Sequence, residues 1–205
     1  MHATMHRVAR ACSLGLVAIA ASAHAQVATD GITIIVEDAE LRPGESTTIR
    51  MEAYFDDDFY AMAGVATSLF SSTGPLGLSD PRVLAPMDGP GTTPGMIDDD
   101  GVLGIVAGQL NFPATGAIFA DPTNPMPFWE VTYTAPSDVT IPFEVSLDSR
   151  TSRFDVYVAR DSSRSESRLG LILEDEAVIR VVPAPAGALA LLGLLGVTRR
   201  RPRHG

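Results

Sequence analysis

The sequence predicts an all-β protein whose body is an antiparallel β-sandwich. Three observations predict it. Apolar residues recur at every second position in several short segments, the period of a strand with one buried face. Turn dipeptides separate those segments at close spacing. No segment outside the two termini shows a helical period.

Taken in order, the strand candidates are 32–37, 47–55, 62–70, 102–112, 116–120, 128–134, 140–147, 153–159, 168–173 and 177–182. In 47–55, TTIRMEAYF, the residues Ile49, Met51, Ala53 and Phe55 share one face, and Arg50 and Glu52 the other. In 140–147, TIPFEVSL, the spacing places Ile141, Phe143, Val145 and Leu147 inward. In 153–159, RFDVYVA, it places Phe154, Val156 and Val158 inward. Turns fall at Arg42-Pro43-Gly44-Glu45, Gly74-Pro75, Asp88-Gly89-Pro90-Gly91, Asp121-Pro122 and Asp161-Ser162-Ser163. Residues 72–101 carry six glycines and five prolines and read as one long loop. Arg160 to Arg168, of mixed charge, reads as an exposed hairpin connection.

Composition narrows the chemistry. The chain has 205 residues with a formal net charge of −10, and all fifteen of its basic residues are Arg. Its only Cys is Cys12, and its four His are His2, His6, His24 and His204. Residues 27–182 therefore contain no His, Cys or Lys, but hold all 25 acidic residues and nine Arg, a formal −16. Histidine-based nucleophilic catalysis, Cys–His chemistry and lysine Schiff bases are excluded from this body, as are His/Cys metal sites. A body at −16 has no basic patch for nucleic acid. The catalytic route that stays open is a carboxylate pair acting on a glycosidic bond, but 25 acids leave no pair distinguished. The expectation is a non-enzymatic protein with no catalytic residue.

Two acidic runs offer hard oxygen ligands that would suit Ca²⁺: Asp56, Asp57, Asp58 and Asp98, Asp99, Asp100. Neither has EF-hand spacing, and a solvated acidic turn is the plainer reading. Calcium is the one cofactor the sequence leaves open. Trp129 is the sole Trp and shares a strand face with Val131 and Tyr133, whereas Phe128, Glu130 and Thr132 take the other. An exposed Trp129–Tyr133 pair would stack on a sugar ring. Packed inward, the same pair is core.

The termini read as addresses. Arg7 and Arg10 precede the apolar run Ala11–Ala21, and Ala23-His24-Ala25 forms an A-x-A cleavage site, so residues 1–25 read as a signal peptide with a short signal helix. At the other end, Val182-Pro183-Ala184-Pro185 forms a hinge before an apolar run from Ala188 to Val197, followed by Arg199, Arg200, Arg201 and Arg203. From Val181 to Thr198 a helix would run about 27 Å, near the thickness of a bilayer core. The flanking arginines would keep that end cytoplasmic. The segmentation is thus 1–25 signal peptide, 26–182 body and 183–205 tail with one transmembrane helix.

Hinge, Leu/Gly-rich span and Arg cluster together resemble the PEP-CTERM sorting tail of exported bacterial proteins, with Ala184 standing where that family carries Glu. The resemblance implies recognition by the export machinery and an exosortase. It also implies a membrane anchor until processing, and delivery to the cell surface or exopolysaccharide matrix. Within the body, Leu41-x-Pro43-Gly44-Glu45 followed by an alternating strand resembles cohesin-like domains. That likeness implies a nine-stranded, jelly-roll-like sandwich with a protein-binding face, the alternative being an immunoglobulin-like one. Together these give an exported, surface- or matrix-associated protein, with a carbohydrate- or protein-binding module, Ca²⁺-dependent or not, as the second reading. An extracellular polysaccharide or a surface protein is then the expected partner.

Overall fold

The structure, a computed structural model, describes residues 30–109, 119–160, 163–169 and 172–183. Eleven strands form two sheets: β1 (Gly31–Val36), β2 (Glu40–Leu41), β3 (Ser46–Tyr54), β4 (Ala61–Ser71), β5 (Leu78–Val83), β6 (Met96–Asp98), β7 (Gly101–Gly108), β8 (Met126–Thr134), β9 (Phe143–Tyr157), β10 (Ser165–Ser167) and β11 (Glu176–Val181). The smaller sheet has the order β1-β3-β8-β5. The larger has the order β2-β11-β9-β4-β7-β6, with β10 also paired to β9. Every pairing is antiparallel except β2 with β11.

Alternation built the core where the ladders are regular. On β3, Ile49, Met51 and Ala53 are fully buried, and Phe55, just past its end, nearly so. They meet Val65, Leu69, Val145, Leu147, Phe154 and Val156 from the larger sheet in one hydrophobic cluster. All buried members of that cluster lie between Ile32 and Val181, so the body closes its own core.

Bulges account for most departures from the expected alternation. Opposite β3, Met51 pairs with Trp129 and Glu52 with Pro127, so Phe128 is the extra residue. The kink turns both Phe128 and Trp129 inward, and Phe128 is buried rather than on the outer face. The segments 140–147 and 153–159 are one strand, β9, of 15 residues. Ala66 pairs with Arg153 and Thr67 with Thr151, leaving Ser152 as the bulged residue that resets the alternation. Ile141 lies ahead of the strand and is 74% exposed, and Val158 is half-buried. Of the expected strand 168–173, the described residues 168, 169, 172 and 173 are in no strand, and Leu173 makes an isolated bridge to Gly31. Most of the expected strand 116–120 lies outside the described residues.

The expected loop 72–101 contains β5 and β6. Pro81 is accommodated because β5 is an edge strand, where a missing N–H costs no ladder bond. Between them, Met87 is fully buried. Gly108 N–H donates to Met87 O at 2.8 Å, and Thr93 and Val106 exchange two backbone bonds at 2.9 Å. Trp129 Nε1 donates to Pro94 O at 2.9 Å, fastening this segment to the core from beneath. Gly101 shows why the following hairpin needs glycine: its φ is +139°, and a Cβ there would sit 2.2 Å from Leu69 O.

Candidate functional site

The described acidic runs do not converge. Asp56–Asp58 precedes the first residue of β4, whereas Asp100 O accepts the N–H of Ser71 at the last. They lie at opposite ends of an eleven-residue strand, roughly 30 Å apart. Each run is occupied locally: Asp56 Oδ1 accepts Asp58 N–H at 3.0 Å, and Asp98 Oδ1 accepts Asp99 N–H at 2.7 Å. Among the described residues, no group of three or more His, Cys, Asp or Glu side chains is placed to hold a metal ion.

Trp129 and Tyr133 are fully buried, and neither presents a face to a ligand. The inward side of β8 claims both, so the sugar-stacking expectation fails on burial. Burial also pushes the Tyr133 phenol above its ordinary pKa. Of the tail residues, Val182 and Pro183 are described. Val182 N–H donates to Leu41 O at 2.8 Å, tying the start of the expected hinge to β2. Pro185, Arg199, Arg200 and Arg201 lie outside the described residues, as do Ala23, Ala25 and both expected terminal helices.

The structure brings together a different set of residues. On the outer face of the larger sheet a groove of about 400 Å³ opens across β9, β4 and β7. Its floor is built from two cross-strand rungs. In one, Asp155 of β9 pairs with Gly64 of β4, which pairs with Gly108 of β7, which bridges to Asp88. In the next, Arg153 pairs with Ala66, Ala66 with Val106, and Val106 with Thr93. Each rung is polar at its β9 end and small in the middle. Strands about 4.8 Å apart make the trough roughly 14 Å across, from Asp155 to Asp88.

Neither floor glycine has a positive φ. Added Cβ atoms would meet a facing carbonyl oxygen, Ala107 O from Gly64 and Ala63 O from Gly108, each at 3.3 Å, and the other glycine's Cα at 3.8 Å. Backbone conformation does not demand glycine here; the absence of side chains is what keeps the floor open. Pro90, Gly91 and Thr92 form one lip, with Thr92 Oγ1 donating to Gly89 O at 2.8 Å. Tyr157 forms the end wall, its hydroxyl donating to Gln109 O at 3.0 Å.

The arginines of this face are paired with carboxylates. Arg153 pairs with Asp155, Arg164 with Glu166, and Arg180 with Glu144 at 2.8 Å. Arg150 pairs with Asp148 at 3.4 Å and lies over the Phe70 ring, 4.5 Å from its centroid. Exposed pairs of this kind add little to stability. Their effect is to place the arginines of this face beside carboxylates, so that none stands as an isolated positive charge, while exposed Glu40, Glu176 and Asp88 keep its surroundings acidic.

Sequence reading missed this site. Gly64 in AMAGVAT and Gly108 in GIVAGQL are glycines inside strand patterns, which mark close approach of something to the backbone. Which glycine faces which depends on the β4–β7 register, which a bulge between Thr67 and Leu69 shifts.

No protein-family model and no curated protein sequence matches the chain. Solved structures do match in fold. A cohesin module from a family 33 glycoside hydrolase of Clostridium perfringens superposes with a TM-score of 0.51 at 9% identity, covering 77% of this chain and 100% of the module. A type I cohesin–dockerin complex from Clostridium thermocellum matches with a TM-score of 0.50 at 12% identity, covering 77% of this chain and 99% of the matched chain. The body therefore has a cohesin-like β-sandwich fold.

Proposed function

We propose that this chain is an exported, non-enzymatic binding module, held at the cell surface or in its matrix by the C-terminal sorting tail, with the groove on the larger sheet as its ligand site. One observation carries the reading. The groove and the point where the tail leaves lie at opposite ends of the same strand. Val181 pairs with Phe143 at the start of β9, whereas the groove is built on Arg153, Asp155 and Tyr157 at its far end. Ten to fourteen residues of strand separate them, roughly 30–45 Å. A body tethered at Val182 through the short Pro183–Pro185 hinge would hold the groove away from the membrane, open to the exterior.

Composition supports a binding role over a catalytic one, since the described groove offers Arg, Asp, Thr, Ser, Gln and Tyr but neither His, Cys nor Lys. The cohesin–dockerin complex that shares this fold supports binding as the use of the sandwich. In the cell, the full chain should fractionate with the envelope or matrix. A chain ending at Val182 should be released to the medium with an unchanged melting temperature. Recovery of the intact full-length chain in the cytoplasm would refute the export and sorting reading.

A further inference from the structure

The groove's own chemistry goes further than the fold likeness. We infer that its ligand is an uncharged carbohydrate: one or two sugar rings of a neutral glycan laid flat over Gly64 and Gly108, with their hydroxyls toward Arg153, Asp155 and Thr92. This rests on the reading of the groove as the ligand site, and adds the class of ligand.

Size comes first. About 400 Å³ falls within the range of small-ligand sites, whereas protein partners cover broad faces of about 800 Å² each. The floor comes next. Sugar rings have an apolar C–H face, and the two glycines present bare backbone at the level where any side chain would lift a ring off the sheet. Ala66 and Val106, one rung along, extend that floor with methyl groups.

The rim supplies polyol chemistry. Arg153 and Asp155 are adjacent on β9's outer side and already paired, so the guanidinium is held as a donor fork and the carboxylate as an acceptor. A diol bridges such a pair without leaving either charge unpaired. Thr92 and Tyr157 have donated their protons to Gly89 O and Gln109 O, so their oxygens face incoming hydroxyls as acceptors.

Charge selects the kind of glycan. Arg153 and Asp155 cancel, exposed Asp88 flanks the groove one strand beyond Gly108, and the body as a whole is strongly acidic. A uronate or sulfated polymer is repelled, and a neutral one is not.

The test uses the body alone, residues 26–182, whose core is complete within itself. Titration calorimetry against maltohexaose, cellohexaose and mannohexaose, with alginate hexamer as the anionic comparison, should give saturable binding of at least one neutral hexamer and none of alginate. Arg153→Ala, an exposed position, and Ala66→Trp, which fills the floor, should each weaken binding tenfold or more at unchanged melting temperature. Arg180→Ala, on the same face but outside the groove, should leave binding within twofold. The inference is overturned by no saturable binding of any neutral hexamer up to about 10 mM, by alginate binding as well as the neutral sugars, or by indifference to Ala66→Trp. If the body still attaches to cells through the groove but protease treatment of those cells abolishes attachment, the ligand is a protein. The carbohydrate inference then fails while the groove remains the site.

Discussion

Replacing Trp129 by alanine is expected to lower the stability of the body by about 3–5 kcal/mol, the cost of a large cavity in a close-packed core. The indole is fully buried, and its Nε1–H is the bond that holds Pro94 O and with it the segment from Leu84 to Met96. Two effects therefore add: lost apolar burial, and an unpaired backbone carbonyl worth about 1–3 kcal/mol. Trp129→Phe separates them, since it keeps much of the packing and loses the hydrogen bond. The alanine variant should melt at least roughly 10 °C lower, and backbone hydrogen exchange should rise first at Thr93 and Val106. A stability loss below about 1 kcal/mol would show that Trp129 is not the core anchor described above.

Asp30→Ala is the second large effect. Asp30 is essentially unexposed, and its two carboxylate oxygens have separate duties. Oδ2 accepts Arg168 Nε–H at 2.5 Å, and Oδ1 accepts Asp56 N–H at 2.9 Å. Arg168 in turn lies over the Phe59 ring, 4.6 Å from its centroid. One carboxylate thus joins the start of β1, the β3–β4 turn and the strap that follows β10. Removing one partner of a buried pair costs about 3–5 kcal/mol where the other charge is stranded. The Arg168 side chain is 22% exposed, so the lower end of that range, about 3 kcal/mol, is expected here. Denaturant melts of Asp30→Ala, Arg168→Ala and the double variant should give a coupling of about 1–3 kcal/mol. Strict additivity would contradict the account.

Much of the fold was legible where alternation ran unbroken. All four inward residues expected of 47–55 are buried, because the β1–β3 ladder is regular throughout and the bulge opposite β3 puts its extra residue on β8, leaving the alternation of β3 itself intact. Legibility failed where a bulge shifted the phase. Ser152 split one strand into two apparent ones, and Phe128 beside Trp129 broke the two-face pattern of β8. Residues 72–101 misled for another reason: glycine and proline there mark edge strands and tight turns pinned by Trp129, not a free loop.

The site was less legible than the fold. Clustered aspartates and a lone Trp stand out in a sequence, yet the aspartates satisfy their own turns and the Trp is core. What makes the groove is the absence of side chains on two residues 44 positions apart, made neighbours by the β4–β7 register. A sequence shows each glycine but not the pairing.

Charge distribution was half legible. The −16 of the body follows from counting. That the arginines of one sheet face are all paired locally, in four ion pairs on and beside β9, β10 and β11, follows only from knowing which residues point outward together.

The central claim, that this groove is where the exported body meets its ligand, is tested most directly by attachment to cells. Purified body, wild type or Ala66→Trp, is added to cells lacking their own copy of the gene, and the bound fraction is measured across a concentration series. Saturable attachment of the wild type, reduced tenfold or more by Ala66→Trp at equal melting temperature, is the predicted result. Equal attachment of the two proteins, or no saturable attachment by either, would contradict it.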